Sequence, residues 1–60
     1  MGKKLIPKKY VKRDGYVGVF QYVDWGGFWI YRFPRGVCVV SEWESENFGA
    51  DTLEELEDRS

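Results

Sequence analysis

Histidine is absent from the 60 residues, cysteine and methionine occur once each, and proline occurs twice. Without histidine the side chain most often used for acid–base work at neutral pH is missing. The lone Cys38 and the serines therefore have no imidazole to activate them as nucleophiles. A single cysteine forms no disulfide within the chain and makes no zinc site on its own. No apolar run approaches the roughly 20 residues that a bilayer-spanning helix needs, and no apolar stretch follows Lys3 and Lys4 as it would in a secretory leader. These gaps predict a non-enzymatic protein of a reducing cytoplasm, with no catalytic residues, metal, cofactor, small-molecule substrate or membrane.

Aromatic residues are what the chain has in excess: three Trp, four Tyr and four Phe in 60 positions. Each ring can bury about 150–250 Å², which is how so short a chain gathers a core. Charge is nearly balanced overall but divided along the sequence. Residues 1–35 carry eight Lys or Arg against Asp14 and Asp24, and residues 36–60 carry only Arg59 against eight acids. Such a division points to an electrostatic partner or to attraction between the two halves.

Turn residues cut the middle of the chain into strand lengths. Asp14-Gly15 is the signature of a type I′ hairpin, which needs positive φ at both central positions. Gly26-Gly27 marks a second turn, and Pro34-Arg35-Gly36 a third. The pieces between them, near Lys8 to Arg13, Tyr16 to Asp24, Phe28 to Phe33 and Val37 to about Trp43, are rich in the β-branched and aromatic residues that suit a pleated surface. Short connections force neighbours to pair antiparallel. The expectation is a mainly β fold, a four-stranded antiparallel meander, with the option of curling into a small SH3-like barrel. Residues 45–50 read as a loop. One short C-terminal α-helix follows over about 51–58, started by Asp51 with Glu54 or by Thr52 with Glu55, and burying Leu53 and Leu56. Residues 1–7 read as a flexible basic arm ahead of a single small domain, 8–60.

Alternation along the strands sorts the apolar residues onto two faces. A two-residue Gly26-Gly27 loop sets Val23 opposite Ile30 and Tyr22 opposite Tyr31. It collects Val17, Val19, Val23, Trp25, Phe28 and Ile30 on an aliphatic face, and Tyr16, Phe20, Tyr22, Trp29, Tyr31 and Phe33 on an aromatic one. The third turn fits two registers: Phe33 opposite Gly36, giving Val37 and Val39 to the aliphatic face, or Phe33 opposite Val37, giving them to the aromatic face. Either way both faces are apolar, whereas a one-sided antiparallel sheet has one polar face. The second face then needs barrel closure, a second subunit or a ligand. Cys38, in a Val-Cys-Val-Val run, reads as a small core residue, and Glu42, Glu44 and Glu46 as a solvated strand end that discourages strand addition.

Interface centres favour aromatics and arginine, so Trp25, Trp29, Trp43, Tyr31 and Arg32 are the interface candidates. The chain is expected to act as a protein-binding regulator or inhibitor using its aromatic face, with Tyr22, Trp29, Tyr31, Arg32 and Arg35 as the binding residues and another protein, or a second copy in a homodimer, as the partner. A nucleic-acid reading stands beside it. Lys8, Lys9, Lys12, Arg13 and Tyr16 interleave cations with rings as single-strand binders do. Strands followed by a short C-terminal helix resemble, in element order alone, the chromo-type domains and small archaeal DNA-binding barrels. The proline that a WW domain carries after its second tryptophan and the Ala-Leu-Tyr-Asp-Tyr run of an SH3 domain are both absent.

Overall fold

The computed structural model describes residues 5–59. Lys3 and Lys4 of the expected basic arm lie outside them. Five strands and two helices follow in the order β1 (Tyr10–Arg13), β2 (Tyr16–Val23), β3 (Trp29–Phe33), β4 (Gly36–Val40), α1 (Glu42–Phe48), β5 (Gly49–Ala50) and α2 (Leu53–Asp58). All strand pairs are antiparallel in one sheet ordered β4-β3-β2-β1-β5. The first four strands form the expected meander. The two ends of that order, β4 and β5, do not pair with each other, so the sheet is open and the barrel option is not taken.

The β1–β2 turn places Asp14 at φ 52° and Gly15 at φ 83°, the two positive values that its sequence announced. The second connection departs from expectation. Asp24 N–H bonds the Phe28 carbonyl, so the loop spans Asp24 to Phe28 and sets Val23 opposite Trp29. A second one-residue shift follows at Gln21, between Phe20 and Tyr22. Two shifts of one residue restore the original faces below the bulge and exchange them above it. Tyr16, Phe20, Trp29, Tyr31 and Phe33 therefore do share a face, while Tyr22 crosses to stand opposite Ile30 and Val23 crosses to Trp29. The third turn takes the two-residue form, Phe33 opposite Gly36, which sends Val37 and Val39 to the aliphatic face.

The region after β4 corrects the expected course of the chain. The fourth strand stops at Val40, and Glu42, Glu44 and Glu46 belong to α1 rather than to a strand end. Ser41 caps this helix, its Oγ accepting from the Glu44 N–H at 3.1 Å. That is the Ser-x-x-Glu start of a helix. Residues expected as a loop form the end of α1 and the short β5, which adds a fifth strand beside β1. In α2 the cap is Thr52, whose Oγ1 accepts from Glu55 N–H at 3.1 Å, and Asp51 lies before the helix. Leu56 is buried there and Leu53 is exposed.

Because α1 joins strands at opposite edges, it must cross the sheet, and it does so over the aromatic face, where Ser45 meets Tyr31. The core is Val11, Trp29, Tyr31 and Val40, with Phe20 and Phe33 packed against it. Phe20 meets Tyr31 edge-on at 5.4 Å, a favoured geometry for two rings. Cys38, expected in the core, is exposed, because β4 is an edge strand and Cys38 lies toward its turn end, away from Val40, the buried residue of that strand.

Candidate binding surface

The helix divides the sheet into a covered inner face and an outer face of different chemistry. Of the five residues expected to bind a partner, Trp29 and Tyr31 are on the covered side, 7% and 0% exposed. They are core. The aromatic face is therefore not the available one. Tyr22 and Arg32 are exposed on the outer face, and Arg35 is exposed in the turn at the far end of the sheet.

On the outer face the register lines up Tyr22, Ile30 and Val39 in one row, and Tyr10, Val19, Arg32 and Val37 in the next. Val37 and Val39 are 60% and 50% exposed, and Val19 and Tyr22 are also exposed large hydrophobics. Alternation places Lys12 and Val17 beyond Val19. By the same register no carboxylate falls on this face of the four long strands, since Asp14 and Asp24 are in turns and the other eight acids follow Val40. Arg32 thus sits among valines and tyrosines on this face, with Lys12 at its β1 end.

The loop at one end of these rows carries a feature that strand patterning did not reveal. Asp24 holds it by four hydrogen bonds: its N–H to the Phe28 carbonyl and its carbonyl from Gly27 N–H, both 2.9 Å, and its Oδ1 from Gly26 N–H at 2.9 Å and Phe28 N–H at 3.0 Å. Asp side chains bond the backbone ahead in this way and so fix turns. On this stiff support Trp25 is 102% exposed, with Phe28 exposed nearby and Tyr22 and Val23 exposed at the end of β2.

The residues of the expected basic hairpin are dispersed. Lys8 is tied by its backbone, its N–H donating to Ser45 Oγ at 3.0 Å and its carbonyl accepting from the Tyr31 hydroxyl. Lys9 Nζ lies 5.6 Å from the Tyr10 ring. Lys12 points to the outer face and lines a shallow hollow with Phe48, Leu56 and Arg59. Arg13 turns inward over the Phe33 ring and forms a two-pronged pair with Glu44, Nε to Oε2 and Nη2 to Oε1, each 2.8 Å. Tyr16 is exposed and shares a small depression with Arg13, Phe33, Arg35 and Cys38. Among the described residues no group of three His, Cys, Asp or Glu is placed to hold a metal ion, and no helix is long and apolar enough to cross a membrane.

The bond from Arg13 holds the Glu44 carboxyl below its usual range, against the opposing effect of partial burial. A carboxyl whose folded value is lowered contributes stability that is present above its unfolded value and lost as pH falls through the folded one. We expect wild type to lose on the order of 1 kcal/mol more than Glu44→Gln between neutral and acidic pH, measured by denaturant unfolding at both. Parallel pH profiles for the two proteins would show that the pair contributes nothing.

Comparison with protein-family models, curated proteins and solved structures returns no match. The chemistry of this surface is therefore read from its own residues.

Proposed function

We propose that the chain is a non-enzymatic protein-binding module, a regulator or inhibitor acting by occupancy in the cytoplasm, and that it binds through the outer sheet face and the Asp24–Phe28 loop. The observation that carries this reading is Trp25, the largest side chain type, wholly in water on a hydrogen-bonded turn. Trp is among the residues that dominate interface energetics. A rigid support reduces the ordering cost of burying it against a partner. Tyr22, Val37 and Val39 extend the contact as an apolar strip above the buried Ile30, and Arg32 gives it an anchor for a carboxylate. The binding residues are then Trp25, Tyr22, Phe28 and Arg32. The inner pair Trp29 and Tyr31 support them from below.

The test uses the immobilised protein to capture a partner from cell extract, with and without nuclease. Trp25→Ala and Arg32→Glu are expected to abolish capture while unfolding free energy changes by no more than about 0.5 kcal/mol, as surface substitutions do. Capture that survives both substitutions removes this surface from the reading. Capture lost on nuclease treatment transfers it to nucleic acid, with Lys12, Arg32, Tyr10 and Tyr22 as the cations and rings involved.

A further inference from the structure

We infer that two copies of this chain pair through β4, edge to edge and antiparallel, about a two-fold axis at Cys38. The inference stands on the strand's own hydrogen-bonding pattern and is independent of the outer-face reading.

β4 is an edge, paired with β3 on one side only. The residues flanking a two-residue turn form a hydrogen-bonded pair, and the pairs then alternate along the ladder. Phe33/Gly36, Tyr31/Cys38 and Trp29/Val40 are accordingly the bonded pairs, so the backbone groups of Val37 and Val39 point away from β3. The Val39 carbonyl shows this directly, because it accepts from Arg13 Nη2 at 3.2 Å instead of from a strand. One lone pair of that carbonyl remains for a second donor. Apart from Arg13 at the Val39 carbonyl, which pairing must leave in place or displace, side chains leave this edge open, with Val37, Cys38 and Val39 all exposed. The strand contains no lysine, proline or inward charge, the devices by which exposed edges are protected.

The sequence of the edge is self-complementary. Val-Cys-Val reads the same in both directions, so a two-fold centred on Cys38 sets Val37 opposite Val39 of the second copy, and Val39 opposite its Val37. Those are the residues whose N–H and C=O groups point outward. Pairing them makes four new ladder bonds. The same register carries Arg35 to Ser41 of the second copy, beside its Glu42, and symmetry repeats the contact. Among the described residues neither Arg35 nor Glu42 has an ion-pair partner within the chain, and here opposite charges meet twice. Other occupants fit less well: the outer face brings only cations to its own copy, whereas this edge brings its own complement. Five-residue edges bury little surface, so the dimer forms with rising concentration instead of being permanent.

In this register Cys38 faces Cys38 as a non-hydrogen-bonded pair, with Cα atoms about 4.5 Å apart, inside the range that a disulfide spans. That gives a reporter. The molar mass of the wild-type chain should rise from monomer to dimer between micromolar and millimolar concentration under reducing conditions, by light scattering. Diamide, which takes two electrons and two protons from the two thiols, should then link Cys38 to Cys38 faster in the dimer range than in denaturant at equal concentration. Arg35→Glu, which sets like charges together, should raise the dissociation constant at least about tenfold, and Arg35→Glu with Glu42→Arg should restore it. A chain that stays monomeric at all concentrations overturns the inference. So does a dimer indifferent to Arg35→Glu and slow to cross-link at Cys38, since it would use another surface. Both exchanges lie at exposed positions, and far-ultraviolet circular dichroism verifies that each variant is folded before its mass is read.

Discussion

Tyr31→Ala is expected to unfold the domain outright, and Tyr31→Phe to keep the fold while losing on the order of 2 kcal/mol. Tyr31 is wholly buried at the centre of the inner face, against Phe20 and beneath α1. Removing a buried ring to Ala costs about 3–5 kcal/mol, and a chain of this length has about 3–9 kcal/mol in total. Phe retains the ring and removes only the hydroxyl. That hydroxyl donates to the Lys8 carbonyl, so the Ser45 Oγ, 2.8 Å away, donates to it while accepting from Lys8 N–H at 3.0 Å. One hydrogen-bonded circuit thereby joins the chain before β1, the centre of β3 and the middle of α1. Without it a partly buried carbonyl and a buried serine hydroxyl lose partners, a deficit of about 1–3 kcal/mol. Burial also pushes the Tyr31 phenol above its ordinary value, the bond with Ser45 opposing. A raised folded value means stability that is intact below the unfolded pKa, about 10, and falls as pH rises beyond it. Tyr31→Phe should therefore show a flatter alkaline limb than wild type in denaturant unfolding. Equal stability at neutral pH, with unchanged exchange protection of the Lys8 amide, would falsify the circuit.

The parts of the fold that were legible are those governed by neighbours in sequence. Asp14-Gly15 fixes its turn through backbone stereochemistry alone, and Thr52-x-x-Glu55 starts α2 by a contact three residues away. Ser41-x-x-Glu44 is the same signal, and it was obscured by the alternation of Glu42, Glu44 and Glu46 around Trp43, which imitates a strand. Seven residues are two turns of helix, too few for a period to declare itself. The Gln21 shift has no such marker. It carries neither Gly nor Pro, and it moves Tyr22 from the inner to the outer face by a change of one residue in pairing.

The candidate surface was less legible for a related reason. Composition identified two apolar faces and the need to cover one of them. Which one is covered depends on the path of α1 from β4 to β5, a contact between residues far apart in sequence, typified by Tyr31 with Ser45. Once the helix takes the aromatic face, Val37 and Val39 of β4 become the exposed set, and Trp29 and Tyr31 lie beneath them. Trp25 belongs to neither face. Its exposure comes from Asp24 closing the loop one residue earlier than Gly26-Gly27 alone would suggest.

Gly49→Ala is the second substitution expected to have a large effect, on the order of 3 kcal/mol. Gly49 has φ −113°, a value open to any residue, so its requirement is one of space. A Cβ there would lie 2.3 Å from the Ser45 carbonyl oxygen and 2.8 Å from that of Tyr10. Both are backbone atoms, one in α1 and one in β1, and neither can rotate aside as a side chain would. The methyl group must therefore lever the end of α1 from β1, taking Ser45 away from Tyr31 and opening the inner face to water. Gly26→Ala is the matched control, since its nearest neighbours at 3.4 Å are ordinary contacts with side chains. Thermal unfolding should show a large fall for Gly49→Ala and a small one for Gly26→Ala, with dye binding marking exposure of Trp29 and Tyr31 in the first. Equal melting temperatures would mean that β5 and α1 yield without cost. The comparison also separates scaffold from surface. On the proposed reading Gly49→Ala should remove stability and partner capture together, because the sheet loses its cover, whereas Trp25→Ala should remove capture from a protein that is as stable as before.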